Sequence, residues 1–144
     1  TYDDALERHQ LALLNTVIKK AKESERAYTC LKMAWICRGK AESLSEELPN
    51  YKIQLKELKQ QEKELLENAY TGFETAFSKE SFPMCGMDEI TVSYLLAELA
   101  RRIGKFEESS RWISRVLISR DANDRIKNRA REIKELLNKD MHKA

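Results

Sequence analysis

Only six residues of this 144-residue chain, four glycines and two prolines, readily stop or bend a helix. An all-β fold needs many more turn residues than that. The composition, 35% charged with abundant Leu, Ala, Glu and Lys, instead predicts an all-α fold of about six helices joined by short turns. A chain of this length suits a single domain over residues 1–144, removing roughly two-thirds of its extended surface from water.

Hydrophobic spacing places the helices. Residues 2–22 carry Leu6, Leu13, Leu14, Val17, Ile18 and Ala21 at helical intervals. Asp3 and Asp4 stand at the positive end of the helix dipole, and Lys19, Lys20 and Lys22 at the negative end. A break at Ser24-Glu25 precedes a second helix with Ala27, Leu31, Ala34, Trp35 and Ala41 on one side. Pro49 stops one helix and starts the next, because it lacks an N–H and clashes with a preceding turn. Beyond it Tyr51, Leu55, Leu58, Glu62, Leu65, Ala69 and Phe73 recur at steps of four and three, with Glu62 the one polar member. That narrow seam predicts a long helix paired antiparallel with the end of helix two, Pro49 lying at the hairpin tip. A coiled-coil partner from another subunit would use the same pattern.

The longest irregular stretch, "SKESFPMCGMDE", is punctuated by Pro83 and Gly86, and Asp88 or its neighbour can cap the next helix. Phe82, Met84 and Met87 are expected to fold back on the core, at about 1.5 to 3 kcal/mol for each side chain fully buried. Helices are then predicted from Glu89 to Ile103, from Phe106 to about Ser119, and from about Asp124 to Asn138. The last carries Ile126, Ala130, Ile133 and Leu137 as its apolar stripe.

Charge and reactive residues narrow the function classes. From Glu98 onward the chain holds 13 of its 26 Lys/Arg but only 8 of its 24 Asp/Glu, so the C-terminal third is basic. A solvated helical surface accounts for this, and an acidic partner or nucleic acid could also use it. Three cysteines without a CxxC pair argue against a disulfide framework or a structural zinc site and place the chain in a reducing cytoplasm. Cys30 and Cys37, seven apart, read as small buried residues on one helical face. No apolar run approaches the ~20 residues that cross a bilayer, so no membrane partner is expected. The chain opens Thr1-Tyr2-Asp3 without an initiator Met, so a longer parent protein is expected. No HExxH, GxSxG or phosphate-cradling loop occurs. Glu46-Glu47 and Glu107-Glu108 diverge by about 100° on a helix. Catalysis, cofactors and metals are therefore not expected.

Sliding the chain on itself so that Gly39 meets Gly104 exposes a repeat. Tyr28, Leu31 and Trp35 precede the first glycine as Ser93, Leu96 and Ala100 precede the second, and Phe106, Ser109, Ile113 and Val116 come after it. "YLLAELARRIGKFEESSRWISRVL" resembles one tetratricopeptide repeat, a 34-residue helix–turn–helix unit, with Ser109 in place of the small Ala and Ile113 in place of the aromatic. "YDDALERHQLAL" resembles only the second half of a repeat, with Tyr2, Ala5 and Ala12 in register. Between them, Tyr28, Leu31, Trp35 and Gly39 fit a first half, and Ala69, Phe73 and Ala76 a second. The two glycines stand 65 residues apart, so a helical hairpin at approximately 40–66 reads as an insertion within one repeat. Residues 124–138 would serve as the C-terminal capping helix.

Taken together, "AWICR", "MDEITVSYLLAELARRIG" and "ANDRIKNRAREIKELL" are similar to the C-terminal region of a bacterial family of unknown function, found mainly in Gram-positive lineages. In that family a cysteine-rich segment, inferred to bind zinc, precedes a tetratricopeptide-like region. The resemblance implies a right-handed helical array with a concave groove lined by the first helix of each repeat, and a scaffold that binds a protein or peptide segment there. By register the groove residues would be Arg26, Thr29, Met33, Ile36 and Cys37 in one repeat and Thr91, Tyr94, Glu98, Arg101 and Arg102 in the next. The second set suits a partly acidic peptide, since arginine takes a carboxylate bidentately and Tyr94 supplies area. The first set is too apolar to sit bare, so either another helix covers it or it anchors an apolar side chain of the partner. Nucleic-acid binding through the basic C-terminal helices is a disfavoured alternative, because Arg111, Arg115, Arg120, Arg125, Lys127, Arg129, Arg131 and Lys134 are spread around those helices with little aromatic interleaving beyond Trp112. A homodimer through the hairpin or the apolar groove is a third.

Overall fold

The computed structural model describes residues 1–18 and 22–142. They form six α-helices: α1 (Tyr2–Ile18), α2 (Glu23–Glu42), α3 (Tyr51–Lys79), α4 (Glu89–Arg102), α5 (Phe106–Ile118) and α6 (Asp124–Met141), with no β-strand among the described residues. Lys19, Lys20 and Ala21, and the side chains of Val17 and Ile18, all assigned to the first helix by the sequence, lie outside the described residues. Two compact units result, Thr1–Gly72 and Phe73–Ala144, and the division falls inside α3.

In the first unit α1 runs antiparallel along α2. The Tyr2 and Ser43 hydroxyls meet at 3.1 Å, Lys40 pairs with Asp3, and the Tyr2 ring occupies the space that a side chain on Gly39 would need. Residues 51–72 of α3 also run antiparallel to α2. Near the open end of this hairpin Gly72 rests against Ala27, and nearer the loop Arg38 Nε donates to Glu62 Oε1 at 2.8 Å. Pro49 lies in the connection between them, as the seam pattern predicts.

With a helix on each side, α2 buries residues around most of its circumference, including Ser24, Ala27, Thr29, Cys30, Leu31, Met33, Ala34 and Cys37. Three local expectations change as a result. Trp35, read as a core residue, is 47% exposed, because it stands at the edge of the buried arc centred on Ala27, Leu31 and Ala34. Ser24-Glu25, read as a break, forms the first turn of α2, where Ser24 is buried. Leu14 is 57% exposed, since α1 turns Leu6 inward, with His9 and Leu13 partly so, and a stripe that narrow leaves no room for Leu14.

In the second unit α4 packs against α5, α5 against α6, and α4 also meets α6. Ala97, Ile113, Val116, Ala130, Ile133 and Leu137 form the core between these three helices. Three members of the predicted α6 stripe are therefore buried, and Ile126 packs against the cluster's edge. The α4 to α5 joint is a Schellman turn: Lys105 N–H donates to the Ala100 carbonyl at 2.8 Å, Gly104 N–H donates to that of Arg101 at 3.2 Å, and Gly104 takes φ +85°. Four residues beyond the joint, the buried Ser109 hydroxyl donates to the Ala97 carbonyl at 2.7 Å, bringing the two backbones close.

The irregular stretch before α4 folds back as expected. Met84 and Met87 exchange backbone hydrogen bonds of 2.8 and 2.9 Å around Cys85 and Gly86. Both central residues take positive φ, +50° and +76°, as a type I′ turn requires. Met84 is buried, Met87 is half-buried, and Phe82 stands edge-on to Phe77 with ring centroids 5.4 Å apart. Asp88 then caps α4, accepting from Thr91 N–H at 2.8 Å.

Candidate functional site

The groove residues predicted on α2 are packed inside the first unit. Thr29, Met33 and Cys37 are buried, Arg26 and Ile36 half-buried, and the Thr29 hydroxyl donates to the Glu25 carbonyl one turn back at 3.0 Å. Burial pushes the thiols of Cys30 and Cys37 up from their ordinary range, which keeps both protonated and poorly nucleophilic at neutral pH. This face of α2 is covered.

On α4 the predicted residues separate into two groups. Glu98, Arg101 and Arg102, toward the C-terminal end, satisfy one another. Glu98 Oε1 accepts from Arg101 Nη2 at 3.0 Å and from Arg102 Nε at 2.5 Å, while Arg101 Nη1 reaches Asp140 on α6 at 3.0 Å. The Arg101 side chain is only 14% exposed. Burial disfavours its charge, but the hydrogen bonds to Glu98 and Asp140 outweigh that and hold its pKa above the usual value. Arg101 thus acts as a tie between α4 and the end of α6, with its two terminal nitrogens already engaged.

Thr91 and Tyr94, toward the N-terminal end of α4, do line an open site. With Met87, Leu95, Asn123, Arg125, Ile126 and Arg129 they enclose a hollow of about 340 Å³ between α4 and the first turns of α6. Met87, Leu95, Ile126 and the Tyr94 ring form its apolar floor, all of them half-buried. Burial raises the Tyr94 hydroxyl above its ordinary pKa, and Glu98 pushes the same way. The phenol therefore stays protonated at neutral pH and can donate a hydrogen bond.

Arg125 and Arg129, both exposed, stand four residues apart on α6, so about 6 Å separates them along the axis. Among the described residues neither has a carboxylate within ion-pair distance. Elsewhere in this unit Arg102 has Glu98, Arg111 has Glu108 at 3.7 Å and Arg115 has Glu89 at 3.5 Å, whereas Arg120 and Arg131 also lack a carboxylate within ion-pair distance among the described residues, Arg131 donating instead to Asn128 Oδ1 at 2.7 Å. Arg115 is held further by the faces of Phe77 and Trp112, at 5.1 and 5.5 Å.

Of the residues lining this hollow, Thr91 and Tyr94 are groove positions by sequence register, whereas Arg125 and Arg129 enter the sequence reading only as part of a capping helix and of the disfavoured nucleic-acid alternative. One signal was available. Arg125 lies in the first turn of a helix, where the dipole disfavours a cation, immediately before an apolar residue that the stripe places at the end of the core.

Among the described residues no three His, Cys, Asp or Glu side chains converge to hold a metal ion, and no helix is long and apolar enough to cross a membrane. No curated protein and no solved structure matches the chain. Residues 1–137 do match a family described as uncharacterized proteins conserved in bacteria (DUF2225), and the chain belongs to that family.

Proposed function

We propose that this chain is a non-catalytic, tetratricopeptide-like interaction module that binds a peptide or protein segment in the hollow between α4 and α6. The observation that carries the reading is the hollow itself: an apolar floor, the Tyr94 hydroxyl, and two arginines that among the described residues have no carboxylate within ion-pair distance. Pockets that bind ligands combine a mostly apolar lining with a few convergent polar groups, and volumes start near about 300 Å³. This hollow sits at that lower limit, which suits one or two side chains of a protein partner better than a cofactor.

The tetratricopeptide-like reading draws support from the joint at Gly104, where α4 and α5 turn back on each other, and from Ser109 at the small-residue position. In such an array α4 is a first helix, whose exposed side lines the groove, and α6 is the cap that closes it. Three free cysteines, two of them buried, are in keeping with a cytoplasmic setting.

The test is a surface-displayed library of random-sequence peptides probed with the whole chain and with Ile126→Glu, Tyr94→Ala and Arg111→Glu variants. The expected result is a set of binders lost with Ile126→Glu, weakened with Tyr94→Ala and unchanged with Arg111→Glu. Binders indifferent to both hollow variants, in proteins of unchanged helicity, would remove the site.

A further inference from the structure

The chemistry lining the hollow restricts what it can take. The apolar floor of Met87, Leu95, Ile126 and the Tyr94 ring is rimmed by Arg125 and Arg129, and no carboxylate is among the lining residues. Glu98 engages Arg101 and Arg102, and Glu89 engages Arg115, whereas the two arginines on the rim of the hollow are open to a carboxylate from outside the chain. Arg125 is the more telling of the pair. It occupies the second position of α6, behind the Asn123 cap and next to Asp124, and its own charge opposes the helix dipole.

Resting on the interaction-module reading, we infer that the occupant is a short acidic segment presenting one large apolar side chain between two carboxylates. The apolar side chain fills the hollow against Ile126 and Leu95. The carboxylates, spaced about 6 Å apart, pair with Arg125 and Arg129. Tyr94 donates to a backbone carbonyl or to one of the carboxylates. The basic first turn of α6 adds its positive dipole end to the attraction, and the whole arrangement selects against basic and neutral segments carrying the same apolar anchor.

Fluorescence anisotropy with labelled peptides separates this inference from the reading beneath it. The probe is a peptide with a central phenylalanine flanked on each side by two glutamates. Its controls replace phenylalanine by serine, the glutamates by glutamines, or the glutamates by lysines, and a labelled single-stranded oligonucleotide reports on general polyanion binding. The expected result is that the acidic phenylalanine peptide binds at least ten-fold more tightly than any control, and that Arg125→Glu/Arg129→Glu abolishes this preference and improves binding of the lysine version. Ile126→Glu removes binding of all of them.

If the glutamine and glutamate peptides bind equally and both are lost with Ile126→Glu, the hollow is a binding site and the acidic occupant is wrong. If no peptide binding responds to Ile126→Glu or to the double arginine variant, the interaction-module reading fails with it. An oligonucleotide that binds more tightly than the acidic peptide, and is lost with the double variant, makes the pair of arginines a nucleic-acid contact instead and overturns the inference.

Discussion

The Ser109 hydroxyl donates to the Ala97 carbonyl at 2.7 Å across the buried contact between α4 and α5. The carbonyl belongs to a helix interior, so its helical partner remains when the hydroxyl is removed. Ser109→Ala should therefore cost only about 1 kcal/mol, the net worth of one hydrogen bond. Ser109→Leu has no space to enter and should cost more, roughly 1 to 3 kcal/mol through overpacking. Urea unfolding of the two variants checks the order. If leucine is tolerated as well as alanine, the helices are not in close contact at this position.

Arg38 and Glu62 explain the single polar residue in the long α3 seam. Their side chains are 28% and 18% exposed, and Arg38 Nε donates to Glu62 Oε1 at 2.8 Å. Either alanine variant should lose about 1 to 2 kcal/mol, and the double variant less than the sum, giving a coupling of at least about 0.5 kcal/mol in a double-mutant cycle. Additive effects would mean that the pair does not register the hairpin.

That pair also marks how far the fold was legible in the sequence. The helix order, the antiparallel hairpin about Pro49 and the turn at Gly104 come from periodicity and punctuation, which are local signals. The covering of α2 did not, because periodicity identifies an apolar face without saying how many neighbours a helix has. Flanked by α1 and α3, α2 buries Thr29, Met33 and Cys37 as well as Ala27 and Leu31. Arg101 and Arg102 stood out as a basic pair in the sequence, yet Asp140, their distant acidic neighbour, is brought close to Arg101 only by packing of α6 on α4. The arginines of the hollow lie instead where the sequence showed an ordinary basic helix.

Gly72 and Gly104 should respond to alanine for different physical reasons. At Gly104, φ +85° strains any side chain although nothing stands within 4 Å of a new Cβ, so Gly104→Ala should cost on the order of 1 kcal/mol and Gly104→Asn less. At Gly72 the backbone is helical, but a Cβ would lie 2.8 Å from that of Ala27. Gly72→Ala gains up to about 1 kcal/mol of helix propensity and loses more to the collision. Adding Ala27→Gly should recover part of the loss in Gly72→Ala and none in Gly104→Ala, as thermal melts of the four variants would report.

Asp88 gives a pH signature. Its side chain accepts the Thr91 backbone N–H, and that bond, with the Thr91 side chain, holds its pKa below the ordinary aspartate value. A carboxyl whose pKa is depressed by folding adds stability that is present above its unfolded pKa and lost as pH falls through its folded one. Asp88→Asn keeps a capping acceptor without the titration, so the stability advantage of aspartate over asparagine should hold at about pH 7 and shrink below about pH 4. Asp88→Ala should cost about 1 kcal/mol at neutral pH. An advantage that grows on acidification would contradict the cap.

Arg101 and Arg102 are adjacent and chemically identical, yet they should behave differently. Arg101 is 14% exposed and joins Glu98 to Asp140, whereas Arg102 is 39% exposed and touches Glu98 alone. Removing the first leaves the partly buried Asp140 without its cation and Glu98 with Arg102 alone, and unties the end of α6 from α4. Arg101→Ala should cost about 2 kcal/mol, between the value of an exposed ion pair and that of a fully buried one. Arg102→Ala should cost no more than about 0.5 kcal/mol. Hydrogen exchange adds a spatial check, because loss of the Arg101 tie should speed exchange in the last turns of α6 while leaving the Asn123 cap protected. Arg101→Lys should rescue little, since one ammonium does not present the planar fork that reaches both carboxylates. Equal destabilisation by the two alanine variants would show that Arg101 is not a tie. Equal stability with both would leave its guanidinium free for a ligand and extend the binding site along α4.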